Sequence, residues 1–354
     1  MNLNDFLFSV IKKGASDIHF KVGSPPVVRI FGELIITKSA PLRPQDTSAL
    51  AFTFLNESRG RHFSSFTEID TTYSIEGKAR FRVNIYKSRG YFSIALRYIP
   101  TLIPNLEELG VPPAAGSLAL EPRGLVLVTG VTGSGKSTTL AAMIDHINKN
   151  KRKHIITIED PIEFIHSDIK SVINQREVGV DSPTFRAAMR AAMREDPDVI
   201  LIGELRDLDA VDTAIRAAET GHLVLSTFHT VNTKETINSI ISFFPEQDKA
   251  QVKAKLAANL RGVISQRLIR KKDNSGRVLA PEVLLTTQTI RACILDDEKR
   301  EDIPYYISQG SSEYGMQTFD QAVMKLYKAD LISYEDALAN ASSPAEFERA
   351  LQFG

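Results

Sequence analysis

The chain has a single cysteine, Cys293, in 354 residues. No disulfide can close within it, and no cage of cysteine thiolates can hold zinc. Charge of one sign is not in excess either: 43 Lys and Arg balance 43 Asp and Glu, a formal net charge of zero. A protein that grips nucleic acid by bulk electrostatics carries a basic surplus, so that class is disfavoured. The one basic cluster, KNKRKH at 149–154, reads as a solvated loop. No apolar run approaches the roughly 18 residues that span a bilayer. The opening MNLNDFLFSVIKKG puts its lysines behind the apolar residues and offers no small-residue cleavage site, so it is not expected to be a secretory signal. Internal repeats and low-complexity tracts are absent as well. Together these absences predict a soluble, cytoplasmic chain that reaches a membrane only through a partner.

What is present is ordinary soluble composition, 43% hydrophobic and 24% charged, with enough apolar material for a sizeable core. At about 150 residues per domain, the length predicts two domains or three. Leu3, Phe6, Leu7, Val10 and Ile11 recur at helical spacing, and Gly14 stops the run. SDIHF, PVVRIFGELIIT, TTYSIEG, ARFRVNIYKSR and YFSIALRYI then read as strands, with a helix over 46–57 among them. Residues 1–99 are thus expected to form a small α+β domain. Prolines 100, 104, 112, 113 and 122 mark 100–122 as a linker. From 123 the pattern changes to short apolar strands, GLVLVTG, HIITIED, DVILIGE and HLVLSTFH, alternating with helices that begin near Lys136, Ser182, Leu208 and Thr233. That alternation implies a parallel sheet covered on both faces. From about Asp248 to the end the expectation is mostly helical, which makes 123–354 one domain with a helical part over 248–354.

GVTGSGKS at 130–137 is a complete G-x-x-x-x-G-K-[ST] phosphate loop, directly behind the strand LVLVT and ahead of an apolar helix. Glycines let backbone N–H groups turn inward around phosphates, and the helix N-terminus adds partial positive charge. Lys136 has the reach for the β- and γ-phosphates, and the Ser137 hydroxyl is a ligand for Mg²⁺. Gly130, Thr132, Gly133, Ser134, Gly135, Lys136, Ser137 and Thr138 are therefore the expected nucleotide-binding residues, with ATP and Mg²⁺ as the implied ligands. Hydrolysis also needs a carboxylate beside the metal and something to position water. In open parallel sheets, ligands sit beyond the carboxyl ends of the strands. Glu204 follows VILI directly. Glu159, Asp160 and Glu163 compete for the same kind of place after HIITI. His222 and His229 flank LVLST, roughly 23 Å apart if the segment is extended. His229 is at the carboxyl end and is the expected γ-phosphate sensor, whereas His222 is at the far end.

GVTGSGKST, TIEDPIEF, REDPDVILIGELRD and AAETGHLVLSTFHT occur in that order. They resemble the Walker A, Asp, Walker B and His boxes of the secretion and type IV pilus motor ATPases. GASDIHF, NQREVG at 174–179 and INSIISFFP resemble the retraction (twitching motility) branch of that family, and the likeness covers nearly the whole chain. It implies an α/β fold: an N-terminal PAS-like α+β domain, the Pro-rich linker, and a RecA-like P-loop ATPase core with a helical C-terminal part. It also implies a homohexamer that hydrolyses ATP with Mg²⁺. Its implied partners are an inner-membrane pilus platform protein and the pilus machinery, with no nucleic acid and no direct membrane insertion. RFRVN and ALRYIP resemble segments whose arginines lie near the nucleotide, which singles out Arg82 and Arg97; developing γ-phosphate charge calls for cations beyond Lys136. The resemblance gives catalytic roles to Glu204, Glu163, Lys136, His229, Arg82 and Arg97. It gives Mg²⁺ to Ser137 and to Glu163, directly or through water.

Two departures bear on the branch. The family's AIRNL-like stretch reads TIRAC at 289–293, keeping Ile290 and Arg291. The extra N-terminal domain and tetracysteine element typical of assembly and secretion motors are not in the sequence, which favours retraction over extension. An accessory retraction paralogue, an assembly or type II secretion ATPase, and a nucleotide-sensing switch are the alternatives. Glu204 speaks against the switch, since a sensor needs no catalytic carboxylate.

Overall fold

The computed structural model describes residues 2–30, 32–55, 68–75, 78–99 and 102–353, and the chain divides into two units, Met1–Leu102 and Ile103–Gly354. Among the described residues no helix is long and apolar enough to cross a membrane.

In the first unit, helix Leu3–Ile11 is started by Asn2, whose side chain accepts from the Asn4 N–H, and it buries Phe6, Leu7 and Val10. Six strands follow: β1 (Ala15–Phe20), β2 (Val27–Ile30), β3 (Glu33–Ile36), β4 (Glu68–Ile75), β5 (Ala79–Ser88) and β6 (Tyr91–Ile99). They form one sheet in the order β3-β2-β1-β6-β5-β4, antiparallel throughout. The run PVVRIFGELIIT divides at Gly32, whose φ of 89° suits a turn; Phe31 of that run and Glu76 and Gly77 of TTYSIEG lie outside the described residues. The helix expected over 46–57 spans Pro44–Phe54. Proline at its first position brings a φ already suited to a helix, and Asp46 accepts from the Arg43 N–H at 2.8 Å. Glu57 lies outside the described residues. Phe81, Val83 and Ile85 alternate onto the buried face of β5 and pack with Leu7, Ile18 and Phe54.

The second unit is built on seven strands: β7 (Gly124–Thr129), β8 (His154–Glu159), β9 (Val172–Glu177), β10 (Val199–Ile202), β11 (Leu223–Phe228), β12 (Leu260–Arg270) and β13 (Arg277–Leu285). Their order is β13-β12-β7-β11-β10-β8-β9. Every pairing is parallel except β12 with β13. β7 is buried at all six positions. Helices cover both faces, with two separate apolar clusters: one collects Leu125, Leu127, Ile200 and Ile202, the other Val126, Val128, Ile144 and Leu225. The helices that follow β9, β10 and β11 are capped by side chains, Thr184 accepting from the Ala187 N–H, Asp207 from Ala210 and Asn232 from Glu235.

Two expectations differ from what is seen. The stretch 100–122 is not a free connector. Pro112 and Pro113 start helix Pro113–Ala119, which buries Ala114, Ala115, Leu118 and Ala119 in the second unit's core; Pro100 lies outside the described residues. The region after Asp248 is mostly helical as expected, but it also holds two strands. After helix Lys249–Asn259, β12 and β13 add a long hairpin to the sheet. Asn274 and Gly276, at φ 57° and 144°, turn the chain between them. Helix Phe319–Lys328 then packs on the hairpin through Ala322 and Val323 against Ile269 and Ala280.

Candidate functional site

Strand register fixes which residues meet at the carboxyl edge of the second sheet. Thr129, last in β7, pairs with Phe228 of β11 and Ser265 of β12, and Ile202, last in β10, pairs with Ser226 and Ile158. The residues that come next, Gly130, His229, Gln266 and Gly203–Glu204, line that edge together with Glu159, where parallel sheets bind their ligands.

Gly130, Gly133 and Gly135 have φ of 142°, 80° and 92°. A Cβ on Gly130 would come within 2.5 Å of Ser134 Oγ and 2.6 Å of the Gln266 carbonyl oxygen, so the loop lies against β12 too closely for any side chain there. Gly135 leads into helix Lys136–Asn150, whose first-turn N–H groups face the loop as an anion site. The Lys136 ammonium is buried and donates to the carbonyls of Gly130 at 2.8 Å and Val131 at 3.1 Å. Burial lowers its pKa, and the charges of Glu204 and Glu163 pull it back up; carboxylates from two separate motifs thus act on one ammonium. Ser134 Oγ is buried with no hydrogen-bond partner. Ser137 and Thr138 are half-buried in the first helical turn, and Thr132 is exposed at the loop's tip. Gln266 Nε2 donates to Thr139 Oγ1 at 2.7 Å, and Thr129 and Ser265 share a buried hydroxyl contact of 2.6 Å. A glycine cradle, a caged lysine and an unpartnered hydroxyl suit a chain of phosphates. Among the described residues no group of three His, Cys, Asp or Glu side chains could hold a metal alone. Mg²⁺ carried in on a nucleotide retains phosphate and water ligands and needs only one or two protein oxygens, which Ser137 and one carboxylate can supply.

Glu204 is held on both oxygens. Oε2 accepts from Arg206 Nε at 2.9 Å, and Oε1 lies 3.0 Å from His229 Nε2. Its backbone is fixed from β11 and β8: Thr227 Oγ1 donates to the Gly203 carbonyl at 2.7 Å, Leu205 N–H to Thr227 O at 3.1 Å, and Gly203 N–H to Ile158 O at 2.8 Å. A neutral imidazole carries one N–H, and this contact places it on Nε2. Nε2, the nitrogen expected to donate to a γ-phosphate, is thus within hydrogen-bond reach of the Glu204 carboxylate. His222 lies at the other end of β11. Its carbonyl accepts from the Gly124 N–H at 3.0 Å, and its Nδ1 is 2.9 Å from Ala217 O.

The three acids after β8 are separated by their surroundings. Glu159 turns inward, where burial raises its pKa against donors from Thr157, Gln175 and the Glu163 N–H. Glu163 and Asp160 are exposed, and of the two it is Glu163 whose charge acts on Lys136.

Arg82 and Arg97 belong to the first unit. They pair directly across β5 and β6 on the solvent-facing side of the sheet. Arg82 Nε is 3.6 Å from Asp70 Oδ1, and Arg97 Nε is 2.9 Å from Asp17 Oδ1. Burial would raise the Asp17 carboxyl, but hydrogen bonds from Arg97 and Ser16 outweigh it and hold the pKa below its usual value. Exposed pairs of this kind contribute only about 0–1 kcal/mol, so either guanidinium can exchange its partner at small cost.

Arg206, Thr227 and Gln266 escape the sequence reading. Arg206 stands two residues from Glu204 inside the quoted GELRD, which is a usable signal. Thr227 and Gln266 contribute through strand register alone.

The Type II/IV secretion system protein family model matches residues 1–309. The chain is 43% identical over 347 residues to the type IV pilus retraction ATPase PilT of Pseudomonas aeruginosa, covering 98% of this chain and 100% of that one. It is 41% identical over 354 residues to the type IV pilus ATPase PilU of the same organism, covering 100% and 92%. A solved structure of the pilus retraction motor PilT with bound ADP superposes with a TM-score of 0.91 at 44% identity, covering 99% of each chain. The family model spans most of the chain and these likenesses run along nearly its whole length, so the chain belongs to the type II/IV secretion system protein family.

Proposed function

We propose that this protein is the ATP-hydrolysing motor of type IV pilus retraction, working as a homohexamer on the inner face of the cytoplasmic membrane through a pilus platform protein. The observation that supports this most strongly is end-to-end similarity to the PilT retraction ATPase, with Lys136, Glu204 and His229 gathered at the phosphate loop. In this reading the loop from Gly130 to Thr138 and Lys136 bind the phosphates of ATP, and Ser137 and Glu163 serve Mg²⁺. Glu204 takes the proton of the attacking water as the bond from the γ-phosphorus to the ADP oxygen breaks. Arg206 and His229 hold that carboxylate in place. Arg82 and Arg97, on a PAS-like N-terminal domain, add positive charge toward the terminal phosphate from the same subunit or its neighbour. Nucleotide-dependent movement of the two domains does the mechanical work.

The test is genetic. A strain lacking the protein should assemble pili and fail to retract them, with twitching lost. Loss of the pili themselves would assign the protein to assembly. The 41% identity to PilU over the full chain favours one second reading, an accessory retraction paralogue. Twitching retained in the disrupted strain, and lost only when another retraction ATPase is also removed, would select it.

His229→Ala removes the Nε2 contact to Glu204. Turnover should fall roughly 10-fold or more through misplacement of the carboxylate, and the preference for an ATP analogue over ADP should weaken. His222→Ala, at the opposite strand end, should leave analogue affinity within a few-fold. Equilibrium binding of the analogue and of ADP to each variant checks both. Loss of the preference in His222→Ala alone would reverse the assignment.

A further inference from the structure

Residues 160–171 join β8 to β9 without any helix or strand of their own, yet they carry Glu163. A segment of that kind holds one shape only if its backbone polar groups find fixed partners elsewhere. Asn148 of helix Lys136–Asn150 holds the far part, Ser167, Ile169 and Ser171, and around Glu163 the partners come from the edge strand β9 and the end of β8. Gln175 Nε2 donates to the Phe164 carbonyl at 2.7 Å and to Glu159 Oε1 at 3.3 Å, while its Oε1 accepts from the His166 N–H at 2.8 Å. Glu177, two residues on and so on the same face of the strand, accepts from the Ile162 N–H through Oε2 at 3.3 Å. Glu159 Oε2 accepts from the Glu163 N–H at 3.4 Å. Register sets these side chains at the right height, since Gln175 pairs with Thr157 and Glu177 with Glu159. Backbone groups on both sides of Glu163 are therefore gripped by one carboxamide and two carboxylates.

We infer that Gln175, with Glu177 beside it, is a positioning residue for Glu163: β9 serves as a clamp that presents this carboxylate to the phosphate loop. The inference rests on the reading of Glu163 as the carboxylate that serves Mg²⁺ and the reaction. The chemistry asks for glutamine in particular. The Phe164 carbonyl needs a donor and the His166 N–H needs an acceptor, and a carboxamide offers both at one position. A carboxylate of the same size offers no donor and faces Glu159.

The test uses the full chain, with single-turnover ATP hydrolysis and equilibrium binding of a fluorescent ATP analogue. Glu163→Gln, Gln175→Ala, Gln175→Glu and the double variant Gln175→Ala with Glu163→Gln are compared with the parent. Gln175→Ala should lower the hydrolysis rate about 10- to 100-fold, the scale of a misplaced catalytic group, with analogue affinity within about three-fold. In the double variant the rate should match that of Glu163→Gln within about two-fold, because residues that act as a unit are not additive. Gln175→Glu should be as slow as Gln175→Ala, and it carries the same comparison if the alanine variant fails to fold. An unchanged rate in the Gln175 variants beside an impaired Glu163→Gln overturns the inference alone. So does a loss that appears in full again in the double variant, which marks a structural role, or a loss confined to analogue affinity. Parental turnover in Glu163→Gln removes the reading of Glu163 and the inference with it.

Discussion

Glu204→Gln is expected to lower ATP turnover about 100-fold or more, the usual scale for losing a general base, or about 2.7 kcal/mol of barrier. The amide fills the same space but takes no proton. It also has one acceptor oxygen where the carboxylate has two, so it can satisfy Arg206 or His229 but not both. ATP affinity should hold within a few-fold, because Lys136 and the loop carry the phosphates. A purified variant that binds nucleotide and hydrolyses it at the parental rate would remove Glu204 from the catalytic role and leave Glu163 as the leading carboxylate.

The second large effect is at the lysine. Lys136→Ala should weaken binding of a labelled ATP analogue roughly 10- to 100-fold, because a hydrogen bond from a charged group contributes about 1.5–3 kcal/mol. Turnover should fall further, since charge on the terminal phosphate grows as the reaction proceeds. Among the described residues the side chain bonds only to loop carbonyls of its own segment, so a fold-wide collapse is not expected, and thermal unfolding of the variant serves as the control. Unchanged affinity together with unchanged turnover would overturn the phosphate-loop reading.

Much of the site is legible along the chain because its parts are local. Gly130, Gly133 and Gly135 are required by positive φ, which glycine alone adopts freely. Lys136 and Ser137 follow at fixed positions in the helix they open. Glu204 is marked by the apolar run VILI before it, and His229 by LVLST. The linker is harder to read, because Pro112 and Pro113 signal a chain break as well as they signal the start of a helix. The hairpin of β12 and β13 is also hard to read, although its turn residues, Asn274 and Gly276, stand between two apolar runs. Buried strands and buried helices share the same apolar runs, and the helices on either side drew the reading toward more helix.

The sequence by itself determined the chemistry: a phosphate loop between strand and helix, acids and a histidine at strand ends, and one cysteine with no surplus charge. These follow from backbone conformation, apolar periodicity and composition, all of which act over a few residues. Only the tertiary structure decided which acids matter to which partner. It turned the half-buried Glu159 inward, left Glu163 exposed with its charge acting on Lys136, and joined Glu204 to His229 and Arg206. It also brought Gln175 onto residues 159–166 and Gln266 beneath Gly130. Those contacts depend on the order and register of strands far apart in the chain, and hydrophobic pattern alone does not specify which strand lies beside which.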